Sequence, residues 1–108
     1  MTGRPFWFDR QGRPITIQEA EPLLADLSYK IIAKYEEGGH LVLTVWLGAD
    51  YDLSPSGPPI LFQTMIFDAA RRPAEYLERY PTEAAALAGH DQAVMHLRIE
   101  ILQRGDDT

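Results

Sequence analysis

The stretch SYKIIAKYEEGGHLVLTVWLG, residues 28–48, joins two runs of aliphatic, β-branched and aromatic residues through a pair of glycines. Two such runs separated by a short glycine-containing turn are the usual sequence signature of a β-hairpin. With the turn taken as Glu37–Gly39, Tyr35 stands opposite Leu41. The stretch therefore predicts two neighbouring strands of an antiparallel sheet.

This register assigns every residue of the hairpin to one of two faces, because side chains alternate along a strand. One face is wholly apolar or aromatic and is expected to be core: Tyr29, Ile31, Ala33, Tyr35, Leu41, Leu43, Val45 and Leu47. The other face is mixed: Lys30, Ile32, Lys34, Val42, Thr44 and Trp46.

Trp46 is thus predicted to point away from the core, with Ile32, Val42 and Thr44 beside it. An exposed patch of this kind often marks an interaction surface, so these four residues are candidates for binding. The alternative is that a second layer covers Trp46. The N-terminal segment PFWF, residues 5–8, is the candidate for that layer.

The N-terminal part of the chain predicts a short strand and a helix. PFWFD followed by RQGRP, residues 5–14, is typical of a strand and a turn. Thr16 and Glu19 have the spacing of a capping box, which predicts a short helix within 17–27. Pro22 conflicts with the interior of that helix, since it clashes with the preceding turn, so either the helix kinks there or it begins later with Pro22 in its first turn.

The C-terminal half predicts two more strands and a longer helix. ILFQTMIF, residues 60–67, predicts a third strand, and EYLERY, residues 75–80, predicts an edge strand. Thr82 is a suitable N-cap for a helix that ends near Gly105. Four apolar residues recur along it at helical spacing and are expected to face the core: Leu87, Val94, Leu97 and Ile101.

Together these elements predict an α+β fold. We expect an antiparallel meander of three to five strands, packed on one face by the short N-terminal helix and the longer C-terminal helix. A chain of 108 residues is expected to form a single domain over 1–108, with 105–108 as a frayed tail.

The composition excludes several chemistries. The chain has no cysteine, so disulfides, thiolate catalysis and cysteine-ligated zinc are excluded. A formal net charge of −6 disfavours direct binding to nucleic acid, which needs clustered lysine and arginine. No apolar run is long enough for a signal peptide or a membrane span, so a cytoplasmic location without membrane contact is expected. No motif indicates a cofactor.

The loop 48–59 is the segment that most resembles a site. Three of its side chains occupy the first three ligand positions of a calcium loop: Asp50, Asp52 and Ser54. The match then fails, because Pro55 stands where glycine is needed and Leu61 where a bidentate glutamate belongs. A role in binding stays open for this loop, and Asp50 and Tyr51 are its candidate residues.

The histidines do not have the spacing of a metal site. His90 and His96 are six residues apart, which places them on different faces of a helix. His90 lies near the apolar stripe and is predicted to be partly buried and hydrogen-bonded. The alternative is that His90 acts as a catalytic base in a pocket shared with Asp50 and Tyr51.

Four segments resemble, in the same order, a group of small uncharacterised proteins encoded by actinobacterial phages and related bacterial genomes. They are FDRQGRPIT (8–16), TVWLGAD (44–50), GPPILFQTMIF (57–67) and TEAAALAGH (82–90). Those relatives have glutamate where Gln63 stands, histidine where Tyr51 stands and serine where Pro81 stands, which argues against an acid–base role at positions 51 and 63. The resemblance implies a phage or mobile-element context in a bacterial cytoplasm, and no reaction.

The first functional hypothesis is a non-enzymatic accessory protein that acts by protein–protein binding, as a homodimer or as an inhibitor of a host or defence protein. The second is a small enzyme or ligand-binding protein with a site near Asp50, Tyr51 and His90. A third, weaker hypothesis is an acidic mimic of nucleic acid, which predicts salt-sensitive binding to a basic protein.

Overall fold

The computed structural model describes residues 6–50 and 57–105. Its elements are β1 (Trp7–Phe8), β2 (Pro14–Ile15), α1 (Ile17–Ala25), α2 (Leu27–Lys30), β3 (Ile31–Glu37), β4 (His40–Trp46), β5 (Phe62–Phe67), β6 (Pro73–Tyr80) and α3 (Glu83–Gly105). β1 and β2 form a small antiparallel pair, and β3 to β6 form a four-stranded antiparallel sheet in chain order. The predicted α+β meander with a short and a long helix is confirmed.

The turn between β3 and β4 contains two residues rather than three. It pairs Glu37 with His40, and the two glycines between them have φ angles of 61° and 80°. Positive φ at both central residues defines a type I′ turn, whose twist suits a two-residue hairpin and which glycine adopts without strain. Tyr35 consequently pairs with Val42, so the predicted pairing of Tyr35 with Leu41 is wrong by one residue.

A one-residue shift moves every side chain of a strand to the opposite face. Val42, Thr44 and Trp46 each have 0% exposed surface and face α3. Ile32 lies at a bulge in β3 and packs against the cluster that contains Trp46. The prediction that these four residues form an exposed binding patch is therefore wrong, because the two-residue turn places Val42, Thr44 and Trp46 on the core side and the bulge places Ile32 there.

The N-terminal segment covers Trp46, as the alternative prediction had it. The indole Nε1–H of Trp46 donates to the backbone oxygen of Phe8 at 3.1 Å, and Phe8 itself is buried in the same cluster. The backbone N–H of Phe8 also donates to the oxygen of Gly48 at 2.9 Å. Tyr29 packs its ring edge-on against the indole, with ring centroids 5.0 Å apart.

The long helix α3 lies across all four strands and covers one face of the sheet. Its most buried residues are Ala86, Gly89, His90, Ala93 and Leu97. Leu97 was predicted to be core and is 1% exposed, whereas Leu87 was predicted to be core and is 42% exposed. The buried side is made largely of small residues because Tyr80 occupies the space beneath Gly89 and the helix must approach the sheet closely.

The predicted capping box begins α1. The Thr16 hydroxyl accepts from the backbone N–H of Glu19, whose side chain accepts in return from Thr16 N–H. The helix starts at Ile17 and retains Pro22 in its interior. Among the helices of the described ranges, none is long and apolar enough to cross a membrane.

Residues 28–30 were predicted to continue β3 and instead belong to the single-turn helix α2. Asp26 explains the difference, because its carboxylate accepts from the backbone N–H of Ser28 at 3.0 Å and caps the turn. The cap also turns Tyr29 toward the indole of Trp46, where it contributes to the core.

Candidate functional site: the outer face of the sheet

The face of the sheet opposite α3 is mostly apolar. It carries six such side chains on three adjacent strands: Leu41, Leu43, Val45, Met65, Phe67 and Leu77. They form a continuous surface, because Leu43 pairs directly with Met65 and Met65 pairs directly with Leu77. Five of them are half-buried by their neighbours, and Leu77 on the edge strand is 48% exposed. We call these six residues the outer patch.

All three helices pack on the other side of the sheet. Ala93 and Leu97 of α3 contact Val42 and Ile66, while α1 and α2 pack against the cluster around Trp46. Within the residues that the structure describes, the outer patch is therefore not covered by a helix. With strands about 4.8 Å apart and residues about 3.3 Å apart, a patch of this extent measures on the order of 300 Å². Patches of that size often mark interaction surfaces.

Charged and polar side chains border the outer patch. On β3, Lys34 forms an ion pair with Glu36 at 3.4 Å, and Arg71 approaches the same carboxylate at 3.8 Å. At the opposite border, Arg79 Nε donates to the side-chain oxygen of Gln63 at 3.0 Å. An apolar centre within a polar rim is the usual anatomy of a protein interface.

A buried polar chain lies between the sheet and α3. His90 Nδ1 and Thr44 Oγ1 are hydrogen-bonded at 2.8 Å, and Thr44 and Thr64 hydroxyls are hydrogen-bonded at 2.5 Å. Burial raises the pKa of Tyr80, and an interaction of its hydroxyl with the Thr64 side chain acts in the opposite direction. His90 is 6% exposed, which confirms the prediction of a partly buried, hydrogen-bonded histidine. Burial lowers the pKa of His90, against an opposing effect of Asp91.

The structure does not place Asp50 and His90 in one described cavity. Asp50 Oδ1 accepts from the backbone N–H of Ile60 at 2.9 Å and so ties together the two ends of the loop. His90 is instead bonded to Thr44 in the middle of β4. Tyr51, the third residue of that candidate pocket, lies outside the described residues, as do Asp52 and Ser54. In the described ranges there is no group of three or more metal-ligating side chains.

A cavity of about 490 Å³ lies at the N-terminus of α3, and none of the predicted site residues that the structure describes is among those that line it. It is lined by Arg10, Gln11, Gly12, Pro58, Pro59, Leu61, Pro81, Thr82 and Glu83. The charges in its wall neutralise each other, because Arg10 donates to both oxygens of Glu83 at 2.8 and 2.9 Å. This pairing lowers the pKa of Glu83 and raises that of Arg10.

Sequence reasoning missed the pair between Arg10 and Glu83, which are 73 residues apart. Their side chains are partly exposed, and the pair ties the turn after β1 to the first residue of α3. Arg10 also stacks over the ring of Tyr29 at 5.3 Å. We assign this cluster a structural role, because a neutralised ion pair offers little attraction to a charged ligand.

The chain matches no protein-family model, no curated protein and no solved structure among those compared.

Proposed function

We propose that this protein acts by binding another protein through the outer patch. The observation that carries the proposal is the one-sided packing of the four-stranded sheet, which leaves six adjoining apolar side chains without a covering helix in the described residues. Burying such a surface against a partner gains roughly 25 cal/mol for each Å² of apolar area removed from water.

The shape and charge of the outer patch favour a protein over other ligands. The patch is part of a flat sheet face, whereas small molecules prefer concave cavities that enclose most of their surface. Nucleic acid is disfavoured by the net charge of −6. A partner with an apolar centre and a polar rim would match both the leucines of β4 and the ion pair of Lys34 with Glu36.

The resemblance to actinobacterial phage proteins supports a more specific proposal. In that context the protein would act in the bacterial cytoplasm as a phage or mobile-element accessory protein, and its partner would be a host or defence protein that it inhibits. Binding through apolar contacts should then be retained at high salt. Loss of binding at high salt would favour the acidic nucleic-acid mimic instead.

The experiment compares capture by two charge variants of the full chain. Met65→Lys places an ammonium group at the centre of the outer patch, between Leu43 and Leu77. Glu78→Lys is the matched control, because Glu78 pairs with Thr64 and its side chain belongs to the opposite face. Circular dichroism establishes that both variants are folded.

The wild-type chain and the Glu78→Lys variant are immobilised and exposed to an actinobacterial lysate. We expect both to retain the same protein, as identified by quantitative mass spectrometry. Met65→Lys should retain at least roughly tenfold less of it, since burying an unpaired charge costs more than 1.4 kcal/mol. Equal capture by both variants, or no specific capture by the wild type, would refute the proposal.

A further inference from the structure

The outward side of α3 carries a second apolar surface, separate from the outer patch. Four large side chains on it are well exposed: Leu87 at 42%, Met95 at 64%, Ile99 at 49% and Leu102 at 69%. A groove of about 320 Å³ lies among Asp91, Val94, Met95, Arg98, Ile99 and Leu102. A solvated helix normally presents polar residues opposite its core stripe, so four large exposed apolar side chains on this side are unusual for a helix surface in water.

Two pairs of residues on this surface are symmetric about the point between Val94 and Met95. Leu87 and Leu102 lie equally far from that point in opposite directions along the helix. Asp91 and Arg98 also lie equally far from it, on opposite sides. A surface with this arrangement is complementary to a copy of itself turned by 180°, which is the requirement for a two-fold interface.

We infer that α3 pairs in antiparallel orientation with α3 of a second copy of the chain. In that arrangement Leu87 packs against Leu102 of the partner subunit, and Met95 packs near the two-fold axis. Asp91 forms an ion pair with Arg98 of the partner subunit, and symmetry repeats the pair on the other side of the axis. Within its own chain, Asp91 forms no ion pair with any described residue.

Arg98 has the capacity for this additional contact. Its Nε lies 3.6 Å from Glu37 Oε1 of the same chain, and its side chain is 64% exposed. A guanidinium group has five N–H donors, so it can contact two carboxylates at once. The partner is a second copy rather than an unrelated protein because Leu87 exchanges with Leu102, and Asp91 with Arg98, under the two-fold operation.

This inference does not depend on the proposed function. The sheet lies between the outer patch and α3, so pairing through α3 leaves the outer patch of each subunit open on the far sides of the dimer. Four large exposed apolar side chains per helix make a small interface, and we expect a dissociation constant in roughly the micromolar range.

Charge exchange between the two ion-pair positions tests the inference. Asp91→Arg places two positive charges opposite each other across the axis, and Arg98→Asp places two negative charges opposite each other. Each variant alone should weaken dimerisation at least tenfold in sedimentation-equilibrium measurements of the full chain. Gln92→Arg is the control, because it adds positive charge at a neighbouring exposed position outside the groove.

The decisive measurement mixes Asp91→Arg with Arg98→Asp in equal amounts. Both ion pairs then become favourable in a mixed dimer, so association should return to within about threefold of the wild type. Circular dichroism shows that each variant is folded before mixing. A wild-type chain that stays monomeric at several hundred micromolar, single variants that dimerise normally, or a mixture that stays monomeric would each overturn the inference.

Discussion

Tyr80 at the end of β6 lies directly beneath Gly89 of α3, and a β-carbon at residue 89 would overlap both the hydroxyl and the ring of the tyrosine. Glycine inside a helix costs about 1 kcal/mol relative to alanine in an isolated helix. Here it lets the helix and the sheet approach closely enough for Tyr80 to reach the buried Thr64 hydroxyl. The residue that weakens the helix locally is the one that allows it to pack.

Gly89→Ala should therefore destabilise the protein in spite of its better helix propensity. We expect a loss of about 2–3 kcal/mol in the free energy of unfolding, because the added methyl group forces Tyr80 or the helix to move. Urea denaturation followed by circular dichroism measures it. Gln92→Ala, on the exposed side of the same helix, should change stability by less than about 0.5 kcal/mol. A neutral or stabilising Gly89→Ala would contradict the packing described.

His90 should make the protein less stable as the pH falls below about 7. Its pKa is lowered in the folded state by burial, so the unfolded chain binds a proton first as the pH falls through the ordinary value of about 6.5. Stability is therefore full above that value and declines below it, until the folded state also takes up the proton. Thermal melts at several pH values measure the decline.

His90→Asn should remove most of this decline, while His96→Asn should leave it unchanged. His96 is about half exposed and lies 3.4 Å from Glu100 on the surface of α3. If His96→Asn and His90→Asn flatten the profile equally, or if the decline persists without His90, then protonation of the buried histidine is not its cause.

Trp46→Ala should unfold the protein partially or completely rather than merely remove a contact with a partner. The indole has 0% exposed surface and contacts Tyr29. Large-to-small substitution at such a position costs about 3–5 kcal/mol. Leu77→Ala on the outer patch, where the side chain is 48% exposed, should cost less than about 1 kcal/mol. Similar urea midpoints for the two variants would show that Trp46 is not a core residue.

The turn that fixes the hairpin register can be tested at Gly38. Its φ of 61° suits asparagine as well as glycine, and an added β-carbon would lie 3.3 Å from the flexible end of Ile101, so Gly38→Asn should cost less than about 1 kcal/mol. Gly38→Val should cost about 2 kcal/mol, since β-branched residues rarely adopt positive φ. Chemical denaturation separates the two variants, and equal stability would argue against a type I′ turn.

Several features followed from local sequence alone. The cap at Thr82 placed the start of α3, and the capping box of Thr16 and Glu19 gave one of the two possible starts of α1, because these bonds join residues close in the chain. β1 and the four strands of the main sheet were also predicted from runs of apolar and aromatic residues, whereas β2 was not, since Pro14 was assigned to a turn. The buried, hydrogen-bonded state of His90 followed from its place beside the apolar stripe.

The orientation of the sheet could not be obtained in this way. β4 is apolar on both faces, so its pattern does not say which face meets a helix. A two-residue turn and a three-residue turn place opposite faces of β4 in the core. The glycine pair is compatible with either turn. The wrong choice placed Leu43 in the core and Trp46 on the outer face, which is the reverse of the structure. Most of the residues that α3 buries are small, so the hydrophobic pattern of the helix indicated its buried side equally weakly.

The sequence by itself determined most of the helix and strand segments, since those preferences are local; α2 and β2 are the exceptions. The tertiary structure alone decided which apolar face is core, which residue fills the space beneath Gly89, and that Arg10 meets Glu83 across 73 residues. These outcomes depend on how elements distant in the chain approach one another. The outer patch and the outward side of α3 became visible only when that approach was known, because apolar residues are functional candidates only where packing leaves them uncovered.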